Sequence, residues 1–320
     1  MNNLKRWIDQ NEMPFLTNFD RLVSVLYILG IATREQLATI LGWTENQVHK
    51  TLQQIRKRVE MPAKLRQEKE RLEKAKKGEI KLDEVEFSTL RAVVREKTKK
   101  LEAERDKWLT IYRPQQNSIA FYTLGQYGVE HACSLREEPF QRWKIAPLSQ
   151  IHHFSGVVDI LVRYRKSGLE EADWLSAKEV ERELYYYWGR YQRKTKQSKK
   201  EKLPCKPDAY IKLQGSECGF YLEYDTGTES TARLRSRFQG YLKLYEALGE
   251  VEALHMCLPV IWVVRNPSRI QKIEQVAQEV LEDWQYDRPG REVLTPNSVC
   301  FVEGEETKFF RGEIEPKPFW

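Results

Sequence analysis

Apolar residues near the start of the chain recur at steps of three and four in short runs, each closed by a turn residue. Phe19, Leu22, Val23, Leu26 and Tyr27 form one run that stops at Gly30. Leu37, Ile40 and Leu41 follow a Thr33 cap and end at Gly42, and Val48, Leu52 and Ile55 follow a Thr44 cap. This spacing puts one apolar stripe on each of three helices, with threonines opening them and glycines closing them. The rhythm is that of a helix-turn-helix. Around its other faces the last helix carries Asn46, Gln47, Lys50, Gln53, Gln54 and Lys57, side chains that hydrogen-bond base edges or phosphates, so it is the expected recognition helix. The alternative is the solvated face of a three-helix protein-interaction module.

The pattern then changes period. Trp108, Ile111 and Tyr112 predict a strand, Arg113 to Ser118 a polar turn that includes Asn117, and Ile119 to Leu124 a return strand; this hairpin supplies the wing of a winged helix. Between helix and wing, residues 63–107 are highly charged and break near Lys77-Gly78. Leu65 and Leu72, then Leu90, Val94 and Leu101, fall at helical intervals and predict an inserted helical hairpin, either a dimerisation or DNA-backbone arm or a solvated insertion.

The polar stretch 136–147 is the expected linker between a domain at 1–135 and one at 148–320. In the second domain the pattern predicts a helix from Leu148 to Arg165 carrying His152-His153, and a strand around Trp174 to Leu184. A basic stretch follows with Arg190, Arg193, Lys194, Lys196, Lys199, Lys200, Lys202 and Lys206, beside Tyr185, Tyr186, Tyr187, Trp188 and Tyr191. Such a run is either a solvated loop or a nucleic-acid contact. Strands at Ala209–Leu213, Phe220–Tyr224, Val260–Val264 and Val299–Val302 alternate with helices at Thr231–Leu248 and Ser268–Trp284, the pattern of a mixed α/β sheet.

Composition narrows the function classes. Hydrophobic residues make up 41% of 320 residues, enough to bury a core, and that length suits two domains. With 53 basic against 47 acidic residues the net charge is only +6, so a nucleic-acid partner has to be argued from local clusters. Scattered, odd-numbered cysteines predict a reducing cytoplasm and no cysteine zinc site. The lack of a long apolar run predicts neither export nor a membrane span. The Gly-x-x-x-x-Gly-Lys pattern of nucleotide-binding loops is absent.

Strand alternation places Tyr221, Glu223 and Asp225 on one face, opposite Phe220, Leu222 and Tyr224, and groups Asp208, Tyr210 and Lys212. If these strands pair, Asp208, Glu223 and Asp225 share a polar face with Lys212. Carboxylates so placed are ligands for a hard cation such as Mg2+ against a scissile phosphate, and Lys212 or Arg237 would stabilise developing charge. The other reading is structural ion pairing of these acids with Arg233, Arg235 and Arg237 of the next helix.

Pro207-Asp208 followed by Glu223-Tyr224-Asp225 resembles the proline-aspartate, (D/E)-x-K arrangement of the restriction-endonuclease-like superfamily, with Asp225 where that family has its catalytic lysine. A longer resemblance covers most of the chain. Ala120-Phe121-Tyr122-Thr123-Leu124-Gly125-Gln126-Tyr127-Gly128, the His152 helix, Lys206-Pro207-Asp208-Ala209 and Leu222-Glu223-Tyr224-Asp225-Thr226-Gly227-Thr228-Glu229-Ser230 are similar to replication-relaxation proteins of plasmids and other mobile elements. Arg237 and Tyr241 stand where such proteins have a basic residue and an aromatic.

The resulting expectation is a cytoplasmic two-domain α/β protein: a winged helix-turn-helix with a helical-hairpin insertion, then a mixed-sheet restriction-endonuclease-like domain. It would bind DNA through Thr44, Asn46, Gln47, Lys50, Gln54, Lys57, Arg113, Asn117, Arg193 and Lys194, in plasmid or mobile-element replication or mobilisation. A homodimer through the arm, and a relaxase or replication protein as partner, come with that expectation. The alternatives are a Mg2+-dependent endonuclease with Asp208, Glu223 and Asp225 as ligands, and a transcriptional regulator whose second domain binds protein.

Overall fold

The computed structural model describes residues 4–8, 12–115, 118–140, 150–168, 173–196, 201–213, 219–290 and 293–320. Asn117, Lys199, Lys200 and residues 141–147 of the expected linker lie outside the described residues. The chain divides into two compact units, Pro14–Ala146 and Met1–Met13 with Pro147–Trp320. The short helix α1 (Leu4–Ile8) therefore belongs with the C-terminal unit, packing on its strand at Asp173–Ser176 through the buried Leu4 and Trp7. A single turn of helix is too short to show a periodicity that would have separated it from the residues that follow.

In Pro14–Ala146 the helices start at the threonine caps. Thr17 opens α2 (Asn18–Leu29) with a capping box to Asp20; after β1 (Ala32–Thr33), Thr33 does the same to Gln36 for α3 (Arg34–Leu41). Thr44 Oγ1 accepts from the Gln47 N–H at 3.2 Å and opens α4 (Glu45–Lys57). Gly42, at φ 66°, takes the left-handed conformation that turns the chain from α3 into α4, where a side chain would add strain. Leu22, Leu26, Leu37, Ile40, Val48, Leu52 and Ile55 are all at most 3% exposed, so the predicted stripes meet in one core.

The charged insertion forms α5 (Ala63–Lys76) and α6 (Glu84–Asp106), which bury a seam of their own at Leu65, Leu72, Val94 and Leu101. Beyond it, β2 (Leu109–Tyr112) and β3 (Phe121–Leu124) pair antiparallel as a hairpin, with β1 on the other side of β3, and α7 (Gln126–Leu135) follows.

The C-terminal unit is built on a five-stranded sheet. Its elements are α8 (Ile151–Lys166), β4 (Asp173–Ser176), α9 (Ala177–Lys194), β5 (Ala209–Lys212), β6 (Gly219–Asp225), α10 (Thr231–Glu250), β7 (Val260–Val264), α11 (Ser268–Tyr286), β8 (Val299–Val302) and α12 (Glu306–Phe310). Strands lie in chain order, antiparallel from β4 to β6 and parallel from β6 to β8, with α10 and α11 as the crossovers that parallel pairing requires.

One expectation fails here. Residues 174–184 are not one strand: β4 ends at Ser176, which forms a capping box with Glu179, and α9 then buries Val180, Leu184 and Trp188 at four-residue steps. The basic residues Arg190, Arg193 and Lys194 are therefore helical. The terminal aromatics dock, Phe309 stacking on Phe301 at 5.5 Å and Trp320 meeting Phe238 at 4.8 Å. Among the described residues no helix is long and apolar enough to cross a membrane.

Candidate functional site

In Pro14–Ala146 the candidate surface is α4. Val48, Thr51, Leu52 and Ile55 are buried, leaving Thr44, Asn46, Lys50, Gln53, Gln54 and Lys57 exposed and Gln47 half-buried. Arg56, on the inner side, donates to the Leu109 carbonyl at 2.8 Å and to Asp106 at 2.9 Å and pairs with Glu102, fixing α4 to α6 and to the hairpin. The guanidinium of Arg58 lies 4.4 Å from the Phe19 ring centre, a second clamp at the same end. The polar face of α4 is thus held rigidly and turned outward, with Gln53 of that face bonded to His49 one turn back at 2.8 Å. Arg113 is exposed at the hairpin turn and donates to the Ser118 carbonyl at 3.3 Å.

In the C-terminal unit the candidate site lies at the ends of β5 and β6. The β6–β7 register sets Glu223 beside Trp262 and Asp225 beside Val264, on the face covered by α10 and α11, while Tyr224 points to α8, where it packs on Gly156. The faces are those that alternation predicts. Glu223 is completely buried and Asp225 is 3% exposed.

Each acid has partners. Glu223 accepts from the Tyr241 hydroxyl at 2.6 Å and from Arg237, whose guanidinium also reaches Glu229 at 2.9 Å and comes within 3.9 Å of Asp208. Arg237 and Tyr241 are four residues apart on α10, in phase with the buried Leu234, Phe238 and Tyr245, so the stripe that packs the helix also aims them at the sheet. Asp208 accepts from the Tyr224 N–H at 2.9 Å and bonds His153 Nε2 at 3.0 Å. Asp225 accepts from the Gly227 N–H at 2.8 Å and from Arg269, which also donates to the Glu229 carbonyl at 2.6 Å. Gly227 sits at φ 84° in the tight turn that this bond closes.

Burial pushes the Glu223 carboxyl up to about 8, against the pull of the Arg237 charge. Arg237 itself goes up, chiefly because Glu223 faces it, and stays charged. Burial acts against charge on His153 and Asp208 too, yet their mutual hydrogen bond and attraction win: His153 lies above the usual imidazole value and Asp208 below the usual carboxylate value.

The expected grouping is only partly realised. Asp208, Glu223 and Arg237 come together. Lys212 does not join them, because it is four residues further along β5, about 13 Å away, opposite Gly219. Arg233 is exposed, and Arg235 reaches across to Asp283 of α11 at 2.7 Å. Arg193 and Lys194 lie on α9, where Lys194 bonds Glu250 at 3.2 Å.

Mg2+ needs several converging oxygens in octahedral geometry. Here both Glu223 oxygens and both Asp225 oxygens are already bonded, and among the described residues no group of three or more His, Cys, Asp and Glu side chains is placed to hold a metal ion. As arranged, the three acids do not fit such a site. His153 enters the site through a polar contact, and Arg269 is a site residue that no sequence motif marks. The signal for Arg269 was topological: α11 starts four residues after Val264, the partner of Asp225, so its first turn comes to the same end of the sheet.

No curated protein and no solved structure matches the chain. The family model described as replication-relaxation matches residues 80–261, from α6 through the acids of β6 and the arginine of α10 to the start of β7. That span is more than half of the sequence, and the chain belongs to the replication-relaxation family.

Proposed function

We propose that the protein is a DNA-binding factor acting in plasmid or mobile-element replication or mobilisation. In this reading Pro14–Ala146 is a winged helix-turn-helix: α4 enters the major groove, the β2–β3 hairpin is the wing, and Arg113 at its turn contacts phosphate. The C-terminal unit is restriction-endonuclease-like, and its acids are held in ion pairs and do not cut. The observation that carries the reading is α4 itself, with one buried stripe and an outward face of Asn46, Lys50, Gln53, Gln54 and Lys57. Asparagine and glutamine pair bidentately with adenine, and lysine contacts guanine or phosphate. Family membership supplies the replication context.

The test is retardation of supercoiled, linear and branched DNA by the full chain, with and without Mg2+ or Mn2+, for wild type, Lys50→Ala and Glu223→Ala. The expected result is intact, retarded DNA, with Lys50→Ala weakening duplex binding and lowering the slope of log affinity against log salt by about 0.9 if that lysine neutralises one phosphate. Duplex affinity and salt slope unchanged in Lys50→Ala would refute the assignment of α4. Metal-dependent nicking that disappears in Glu223→Ala would instead make the protein an endonuclease.

A further inference from the structure

The helix α9 carries a second pattern besides the stripe it buries. Lys178, Arg182, Tyr185, Tyr186, Gly189 and Arg193 recur at steps of three and four, the spacing of one helix face, opposite the buried Val180, Leu184 and Trp188. From Lys178 to Arg193 this face is about 22 Å long at 1.5 Å per residue. Two tyrosines sit in its middle, Tyr185 at 40% and Tyr186 at 63% exposure. Tyr186 leans on Tyr187 at 5.1 Å between ring centres, and Tyr187 is tied by its hydroxyl to His255 at 3.1 Å, so the exposed ring is braced from behind. Lys206 brings its ammonium to 5.8 Å from the Tyr185 ring centre. Gly189 leaves a gap between Tyr186 and Arg193 where an added Cβ would meet only the Arg193 side chain, at 3.6 Å.

An ordinary solvated helix face has none of these features together. A glycine weakens a helix interior, and two exposed tyrosines cost apolar hydration. All three are explained by a ligand that has flat apolar faces and negative charge at regular intervals. Arg190 and Arg193 are exposed, and among the described residues neither is paired with a carboxylate. Of the three acids on this helix, Glu181 is engaged by Lys206, Glu179 closes the cap at Ser176, and Glu183 is half-buried beside Arg182, whose charge acts on it.

We infer that this face of α9 is a binding site for single-stranded DNA, in which Tyr186 and Tyr185 stack on bases while Arg190 and Arg193 contact phosphates. Duplex DNA keeps its base faces inside the stack, so a braced, outward tyrosine pair between arginines suits an opened strand. The site lies wholly within the C-terminal unit. It rests on the reading of the protein as a DNA-binding factor and adds a second substrate form, the single strand, to the duplex assigned to α4.

The test is fluorescence anisotropy of the full chain with a labelled oligothymidylate of about 20 nucleotides and, separately, with a duplex, across a salt series. Tyr186→Ala should weaken single-strand binding about tenfold, the loss expected for one stacked base, without changing its salt slope. Tyr186→Phe should restore the affinity, because the ring remains. Arg193→Ala should lower the single-strand slope by about 0.7, the share of one phosphate. Lys50→Ala should weaken duplex binding and leave the oligothymidylate unaffected. Single-strand affinity that is the same in wild type, Tyr186→Ala and Arg193→Ala, with duplex binding still lost in Lys50→Ala, overturns the α9 site alone. Single-strand binding that depends on Tyr186, with duplex binding indifferent to Lys50, supports the α9 site and overturns the role of α4.

Discussion

Replacing Arg237 by methionine keeps much of the side chain's volume and removes its charge. The consequence falls mainly on Glu223, which has no exposed surface and would keep only the 2.6 Å bond from Tyr241. Glu229 and Asp208 would lose contacts as well, but they are 24% and 14% exposed, so solvent takes over part of what Arg237 supplied. Above about pH 8, where Glu223 is ionised, an uncompensated buried charge costs about 3–5 kcal/mol, and for a unit of this size each kcal/mol lowers the melting temperature by about 2–4 °C. The expected drop is roughly 6–20 °C. Removing both charges, Glu223→Gln with Arg237→Met, should cost less than Arg237→Met alone, giving a coupling of at least about 1.5 kcal/mol. Urea unfolding followed by tryptophan fluorescence measures this, since Trp174, Trp188 and Trp262 are buried in the same unit. The deficit should also depend on pH. Burial raises Glu223 above its unfolded value of 4.5, so the folded state takes up the proton first, and stability falls as pH rises from about 4.5 through the folded value. The single variant should therefore be closest to wild type near about pH 5. A cost under about 1 kcal/mol, or a double variant no better than the single, would refute the view that Arg237 compensates Glu223.

Two further outcomes follow from the same packing. The folded-state value of His153 lies above its usual 6.5 and that of Asp208 below its usual 3.8, so their pair stabilises fully between these two values. It loses strength as pH rises through the His153 value and as pH falls through the Asp208 value. His153→Gln should accordingly cost more near about pH 5 than near about pH 9, and an equal cost at both in chemical denaturation would rule the pairing out. At Gly240 in α10, alanine would improve helix propensity by about 1 kcal/mol, but its Cβ would collide with the backbone carbonyl of Pro204, an overpacking that costs about 1–3 kcal/mol. The collision should win; a more stable Gly240→Ala protein would show that the segment at Pro204 moves aside freely.

The order of elements was legible wherever one periodicity ran uninterrupted. Leu22, Leu26, Leu37, Ile40, Val48 and Ile55 announced their helices because each packs through a single stripe between strong caps. The interval 174–184 misled because its apolar residues satisfy both periods: Trp174 and Leu175 lie in β4, whereas Val180 and Leu184 are spaced for a helix that Ser176 and Glu179 begin. Ion pairs were legible only within reach of one element. Glu223 and Arg237, 14 residues apart, could be matched across a strand and the helix after it. The pair His153–Asp208 spans 55 residues and Arg269–Asp225 spans 44, and nothing local in the sequence marks either.

The acids of β6 pose the deeper question. This strand lies between β5 and β7 with helices on both faces, a position that favours valine and isoleucine, and it carries Glu223 and Asp225 instead. Stability is a poor reason for that choice, because a well-packed apolar replacement of a buried ion pair is often neutral or better. What the pairs do accomplish is directional. Arg237 and Tyr241 draw α10 onto Glu223, Arg269 draws the start of α11 onto Asp225, and His153 draws α8 onto Asp208, so three helices converge at one end of the sheet. In open α/β sheets the carboxyl ends of parallel strands are where ligands bind, and Asp225 lies at that end of β6. The double variant Glu223→Gln with Arg237→Met separates the two explanations. If it remains folded and handles DNA as wild type does, the acids only orient helices. If it remains folded but DNA handling is lost, the charges themselves serve the function.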